Sequence, residues 1–392
     1  MRKVVLFLCL ATALFAFGCK KQADTGAAAP VADVAEVVMG VQGPETGEIA
    51  VYGLQTLYGA QLAADEINAA GGINGKPLKI VHYDSRGDKV EAVNVAQRLI
   101  NNDKVCGIVG EPTSGALFAM RNIVNDKKTM AISAGATAVG VADNLPYVFR
   151  NTLLDTDGAP ATIKHLKDTK GWTKYAIITS TNNDYSVGLS DTYRQAILSN
   201  GGTVVIEQSI NDKDTNISAQ VTAMRNKDFD AVVFTGYYQE ASLIMLELRK
   251  QGIKAPLVGG DGFQSPELYN VGKDAALGTV FFAGFSTSST NPQVVEFNKK
   301  IAAKGYETDM FAAQGYDAMY LLANAAKQAG VTNCSEEAQR VKMRDALAAT
   351  QNFMGVSGEM SFDAQGNGVK KPFIMEVSKD DKGGYFFKLL NQ

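Results

Sequence analysis

The chain has 392 residues, 46% of them hydrophobic, 20% charged and 8% aromatic, which excludes a disordered, collagen-like or coiled-coil protein. At about 150 residues per domain this length predicts two or three domains. Lys and Arg number 38 against 41 Asp and Glu, a net charge of −3, so no basic surplus exists to neutralise phosphates and nucleic acid is not expected as a partner.

Arg2 and Lys3 precede an apolar run over 4–17 that is too short and wrongly flanked for a spanning helix. That is the pattern of an export signal. It closes on Ala16-Phe17-Gly18-Cys19, followed by Lys20-Lys21-Gln22 and a stretch of Ala, Asp, Thr, Gly and Pro over 23–35. A small residue just before a cysteine here resembles the lipobox of bacterial lipoproteins, although Phe17 stands where a small residue is usual. Residues 1–18 are therefore expected to be removed, Cys19 to be lipidated and 19–35 to form a tether. The alternative is a plain signal cleaved nearby, which leaves a soluble exported protein. Removal of 1–18 takes away Arg2 and Lys3 and no acid, leaving 36 basic and 41 acidic residues and a charge of −5.

From residue 37 onward, strand-like apolar runs at 37–41, 78–82, 105–109, 129–133, 175–179, 203–207, 231–235, 256–260 and 279–283 alternate with amphipathic stretches. Over 53–70, Leu54, Tyr58 and Leu62 recur at the four-residue spacing of one helix face, and Val95 and Leu99 do the same over 91–102. The strands read as continuous Val, Ile and Leu, as a parallel sheet covered on both faces requires. After 284 the rhythm changes, with helical patterns at 292–304, 311–329 and 335–349, then strand-like runs at 358–363, 372–377 and 384–389. One sheet of so many strands would split, so two α/β lobes joined by several crossings are predicted. Cys106 and Cys334 are left once Cys9 and Cys19 are assigned to the leader, and they are read equally well as a disulfide or as two buried thiols.

Catalytic apparatus is not visible. The two histidines, His82 in a strand and His165 beside Lys164 and Lys167, read as a strand and a surface residue, and no HExxH, CxxC or GxSxG occurs. Gly71-Gly72-Ile73-Asn74-Gly75-Lys76 has the wrong spacing for a phosphate loop and reads as a helix C-cap and turn. No metal and no cofactor is expected. The informative residues follow the strands, where doubly wound folds hold ligands. In the first half these are Gly110-Glu111-Pro112-Thr113-Ser114-Gly115-Ala116, opening a helix whose N–H groups could hold a carboxylate, and Ala134-Gly135-Ala136-Thr137. In the second half they are the segment 181–186, Gly236-Tyr237-Tyr238 and Gly260-Asp261-Gly262. Singly, each suits a cap or a turn; together they complement a zwitterion with an apolar tail.

With these residues the chain resembles the periplasmic binding proteins of bacterial branched-chain amino-acid ABC transporters, the leucine–isoleucine–valine-binding type, from about Val38 to Asp380. Its most specific stretch runs Tyr58-Gly59-Ala60-Gln61-Leu62-Ala63-Ala64-Asp65-Glu66-Ile67-Asn68 and on through Gly71-Gly72-Ile73-Asn74-Gly75-Lys76; Gly-Pro-x-Thr-Gly at 43–47, Asp-Tyr-Ser-x-Gly at 184–188 and Ser-Phe-Asp-x-x-Gly at 361–366 agree. The resemblance implies a type I periplasmic-binding-protein fold: two doubly wound, mostly parallel α/β lobes, three crossover strands and a ligand in between. Lobe 1 is expected over 36–154 and 284–358, lobe 2 over 155–283 and 359–392. It further implies that Ser114 and Thr137 hold an α-carboxylate with nearby N–H groups, among them those about Ala136. The Gly135 carbonyl, Thr137 and Asp261 would hold the ammonium group. Tyr52, Tyr185, Tyr237 and Phe311 would wall the side-chain pocket, with Asp155 at the first crossing. Asp261 stands where the best-known members carry Glu, Gly87 and Thr113 replace a cysteine pair, and the segment 45–51 is longer. The implied function is capture of a small, aliphatic or branched-chain L-amino acid by hinge closure and delivery to an ABC permease and its ATPase subunits. A monomer in the periplasm or cell envelope, held to the membrane by a lipid anchor, is expected, and no enzyme. A module presenting an amino acid or amide to a signalling receptor is the alternative.

Overall fold

The computed structural model describes residues 35–391, so the expected signal, Cys19 and most of the tether fall outside the described residues. The chain opens with β1 (Val37–Gly43), α1 (Ala50–Ala69), β2 (Leu78–Asp84), α2 (Lys89–Asn101), β3 (Gly107–Val109), α3 (Ser114–Asp126), β4 (Met130–Ser133) and β5 (Val148–Arg150). These strands form a parallel sheet in the order β2-β1-β3-β4-β5. β3 and β4 are buried along their whole length, which is why Gly107-Ile108-Val109 and Met130-Ala131-Ile132-Ser133 show no alternation of apolar and charged residues. Asp88 caps α2 by accepting the N–H groups of Val90 and Glu91 at 2.8 and 3.0 Å.

The second lobe contains α4 (Asp155–Lys170), β6 (Lys174–Ser180), α5 (Asp184–Ser199), β7 (Thr203–Ile210), α6 (Ser218–Met224), β8 (Ala231–Phe234), α7 (Tyr238–Lys250), β9 (Leu257–Gly259), α8 (Glu267–Gly272) and β10 (Val280–Ala283). The chain then returns through α9 (Pro292–Ala303), α10 (Met310–Gln328) and α11 (Glu337–Ala348). A small antiparallel sheet follows, made by β11 (Phe353–Gly355), β12 (Gly358–Phe362) and β13 (Gly368–Val369). Last come β14 (Phe373–Lys379) and β15 (Tyr385–Leu389), which complete the second sheet in the order β15-β14-β10-β9-β8-β6-β7. Five of these strands are parallel; β14 and β15 add an antiparallel edge.

Of the helices after residue 284, α10 and α11 cover the first sheet, where Met319, Leu322, Met343 and Leu347 share a core with Val37, Met39 and Val109; α9 packs Val294, Phe297 and Ile301 into another core with Phe285. Packing is tightest between α1 and α10, where a side chain on Gly59 would collide with the Ala312 carbonyl and one on Gly315 with the Thr56 carbonyl; glycine on both helices lets the backbones approach. Cys106 and Cys334 are joined as a disulfide with Cα atoms 4.7 Å apart. The bridge ties the edge of β3 to the segment entering α11, so the late helices are fastened to a strand made 228 residues earlier.

One boundary lies elsewhere than expected. Residues 359–369 stay with the first lobe: Met360 and Phe362 share a core with Val37, Met39 and Leu322, the Phe362 ring meets Phe149 at 5.2 Å, and Arg150 Nε donates to Asn367 Oδ1 at 2.8 Å. The third crossing is therefore at 370–372, not 358. An alternating strand pattern shows that one face is buried, but not against which core. β5, β11 and β13 were also not anticipated; with two or three residues each they are too short to show a period. Among the described residues no helix is long and apolar enough to cross a membrane.

Candidate functional site

The cleft is built from strand ends and helix starts, as the doubly wound topology dictates. β3 leads through 110–113 into α3, whose N-cap Thr113 is extended but makes no side-chain capping bond. The first amides of α3 thus remain as donors at the positive end of a 13-residue helix. β4 ends at Ser133, whose Oγ accepts the N–H groups of Gly135 and Ala136 at 3.3 and 2.9 Å and donates to the Glu111 carbonyl. The amides of Gly135 and Ala136 are consequently engaged inside the lobe, which leaves the α3 terminus as the anion-binding feature on this side. Gly135 is needed by close approach, because a side chain there would strike both the Phe311 ring and the Pro112 carbonyl.

The second lobe contributes a carboxylate and aromatic rings. Asp261 directly follows β9 and its neighbour Gly260, in a single turn of 3-10 helix. Asp261 Oδ1 accepts the Tyr185 hydroxyl at 2.9 Å and, across the cleft, the Thr137 hydroxyl at 3.3 Å. The Tyr185 and Tyr237 rings lie parallel with centroids 5.6 Å apart. From the first lobe, Tyr52 sits 4.4 Å from Phe311 and 5.5 Å from Tyr237 and donates its hydroxyl to the Gly262 carbonyl at 2.7 Å.

Seven of the ten anticipated residues line one cavity: Tyr52, Ser114, Gly135, Tyr185, Tyr237, Asp261 and Phe311. Pro112, Thr113 and Gly262 join them; all three belong to loops marked in the sequence, but turn residues carry no signal for which way they face. The other three stand behind the wall. Thr137 reaches the site through Asp261. Ala136 turns its carbonyl away, to Arg150 Nη1 at 3.1 Å. Asp155 is fully buried at the start of α4, and among the described residues neither carboxylate oxygen has a hydrogen-bond partner within normal range. In this conformation the lobes touch and the cavity measures only about 10 Å³, about the room of one water.

Two buried carboxyls dominate the electrostatics. Burial pushes Asp261 up to about 7, against the hydrogen bonds from Tyr185 and Thr137 that favour its charged form. Burial likewise raises Asp155 to about 8; the charge of Asp261 adds to this, while Thr137 and Arg150 oppose it. Both want a cation, and desolvation keeps them near neutrality without one. An ammonium group beside Asp261 and a carboxylate at α3 would satisfy the two halves of the cleft at once.

A two-lobed α/β scaffold with a polar, aromatic-walled cleft at its strand ends defines a hinged small-molecule binding protein. The chain belongs to the periplasmic binding protein family, whose sequence model matches residues 36–383. A Leu/Ile/Val-binding protein of Rhizobium johnstonii is 30% identical over 310 residues, 79% of this chain and 83% of that protein. The branched-chain amino acid transporter substrate-binding protein LivJ of Streptococcus pneumoniae, solved in complex with isoleucine, superposes with a TM-score of 0.82 at 34% identity, covering 91% of this chain and 99% of its own. The leucine binding protein LivK of Thermotoga maritima gives 0.83 at 29% identity over the same shares. The fold is the type I periplasmic-binding-protein fold, with mostly parallel sheets.

Proposed function

We propose that the protein is the extracytoplasmic binding component of an ABC importer, which takes a small L-amino acid between its lobes, aliphatic ones first, and presents it to a permease. The observation that carries this reading is the meeting of an uncapped helix start on one lobe with a buried carboxylate on the other, around a single aromatic-walled cavity. Ser114 and the α3 amides take the α-carboxylate, joined by Thr137. Asp261 takes the ammonium group with the Gly135 carbonyl and the Thr137 hydroxyl, backed by Asp155. Tyr52, Tyr185, Tyr237 and Phe311 surround the side chain, near the hydroxyl-bearing rim of Thr113. The relatives that bind leucine, isoleucine or valine support the choice of ligand class. The leader and Cys19 support export and a lipid anchor that holds a monomer near its permease.

A cavity of about 10 Å³ cannot admit an amino acid until the lobes part, so binding is coupled to a hinge motion between the two. The test is a thermal-shift screen over amino acids, amides and small organic acids. A ligand at 100 times its Kd adds roughly 2.7 kcal/mol of stability, a clear rise in melting temperature. Silence from Leu, Ile, Val and Ala alike would reject the aliphatic class.

A further inference from the structure

Beside the inner cavity lies a second, larger one of about 180 Å³, and the two share Thr113 and Tyr237. The first lobe walls it with Glu48, Lys89 and the start of α3; the second walls it with Asp184, Asp212 and Glu240. No aliphatic residue except Ile49 and Ala116 faces it, in contrast to the aromatic inner cavity. Among its lining residues is an ion pair across the cleft, Lys89 Nζ to Asp184 Oδ2 at 2.6 Å, beside Gly115. So the chamber exists with the lobes in contact.

The acids that line it are not equivalent. Asp184 is matched by Lys89, and Asp212 accepts the hydroxyl of Ser180 and the Asn183 amide, the latter at 2.9 Å. Glu240 differs. It is 95% buried, from a relative exposure of 5%, and its Oε1 accepts the Lys213 N–H at 2.8 Å. Its Oε2 has no hydrogen-bond partner within normal range among the described residues. A buried carboxylate oxygen left without a donor is costly; Glu240 lines the chamber, together with the exposed cations Arg86 and Lys213.

We propose that this chamber is an outer subsite for the distal end of longer ligands, and that among side chains too long for the inner cavity it favours those ending in a hydrogen-bond donor, an ammonium or an amide. This rests on the amino-acid reading of the inner site. The side chain leaves the Asp261 region between Tyr237 and Thr113, and its end reaches Glu240. A purely aliphatic side chain of the same length enters the chamber but leaves Glu240 unmatched and strips water from its other polar walls. An acidic side chain is rejected by Glu240 itself.

The experiment compares lysine, glutamine and norleucine, three unbranched ligands differing at their ends, by titration calorimetry with leucine and glutamate alongside. Lysine or glutamine binding at least tenfold tighter than norleucine, with glutamate weakest, is the expected result. If lysine alone gains, the subsite reads charge; if both gain, it reads donors. Glu240→Gln keeps the bond from Lys213 through its amide carbonyl, and it should cut the lysine-to-norleucine ratio at least tenfold. Norleucine matching both polar ligands would overturn the outer subsite and leave the amino-acid reading intact, as would an unchanged ratio in Glu240→Gln. No binding by any of the five would overturn both.

Discussion

Thr137 and Asp261 meet across the cleft at 3.3 Å, so the residues expected to grip the ligand grip each other when the lobes close. Protonation of Asp261 sets a pH dependence of definite sign. Asp261 has its carboxyl raised to about 7; an ammonium ligand favours the ionised form, so binding expels a proton whenever the pH is below that value. Affinity for an amino acid should therefore fall about tenfold per unit as pH drops below about 7, and level off above it. Without ligand, folded stability runs the other way: a carboxyl raised on folding favours the native state at low pH and loses that contribution as pH rises through about 7. Calorimetry from pH 5.5 to 8 checks both trends, and Asp261→Asn should flatten the affinity curve while weakening binding by ~2 kcal/mol or more, as expected when a buried charge loses its partner. A pH-independent affinity in the native chain would remove Asp261 from the ammonium site. The sequence singled out Asp261 because it follows a strand end. It could not show that Asp155, 106 residues earlier, adds a second raised carboxyl behind Thr137, since that depends on how the first crossing folds back.

At the scale of elements, the three crossings are joined by a buried polar network that the sequence did not disclose. Lys370, in the third crossing, donates to the Asn151 carbonyl at 3.2 Å and to Ser357 Oγ at 2.6 Å; Ser357 in turn donates to Asp317. Asn151, in the first crossing, donates to the Gln314 carbonyl at 2.8 Å, and Gln314 Nε2 donates to the Ala134 carbonyl at 2.6 Å. Gln314 also packs where a side chain on Gly284, in the second crossing, would otherwise sit. Arg150 completes the set by donating to the carbonyls of Ala136 and Ala138, and burial lowers its pKa to about 10. The ligand loop 134–138 is thus anchored to the hinge. Burial drives the Lys370 amine down to about 8 despite the opposing charge of Asp317, and a lysine so placed is a structural cation. Lys370→Met removes two hydrogen bonds and leaves Asp317 without that charge, so it should cost ~1–3 kcal/mol of stability, measured by chemical denaturation. Unchanged stability would mean that the network carries no weight. The long strands and the helices 292–303, 310–328 and 337–348 were legible because each spans several periods of one pattern. A hydrogen bond between residues 151 and 314, or a disulfide between 106 and 334, leaves no trace in local spacing.

For the whole molecule, the question is how closure is shared between ligand and protein. The two lobes and their mostly parallel sheets followed from strand–helix alternation, but the return of 359–369 to the first lobe did not, because lobe membership is decided by the far side of each strand's contacts. Besides the Thr137–Asp261 pair, the cleft is spanned by Tyr52 to Gly262, by Lys89 to Asp184 and by the Tyr238 hydroxyl to the Glu48 carbonyl at 2.8 Å. Lys89 and Asp184 are about half exposed, so screening reduces that pair to a small contribution. The two tyrosine bonds are shielded, and each should favour closure by roughly 0.5–1.5 kcal/mol. Tyr238 lies outside the inner cavity, so Tyr238→Phe removes one such bond without altering the inner wall. If the lobes rest mainly open without ligand, the loss falls wholly on affinity, a two- to tenfold weakening. If they rest mainly closed, affinity hardly moves and the loss is seen instead as a larger radius of gyration of the free protein, because the open fraction grows by the same factor. X-ray scattering of the free protein together with calorimetry therefore accounts for the bond in one observable or the other. The four direct contacts across the cleft favour the second outcome. A variant unchanged in both would show that the Tyr238–Glu48 bond does not hold the lobes together.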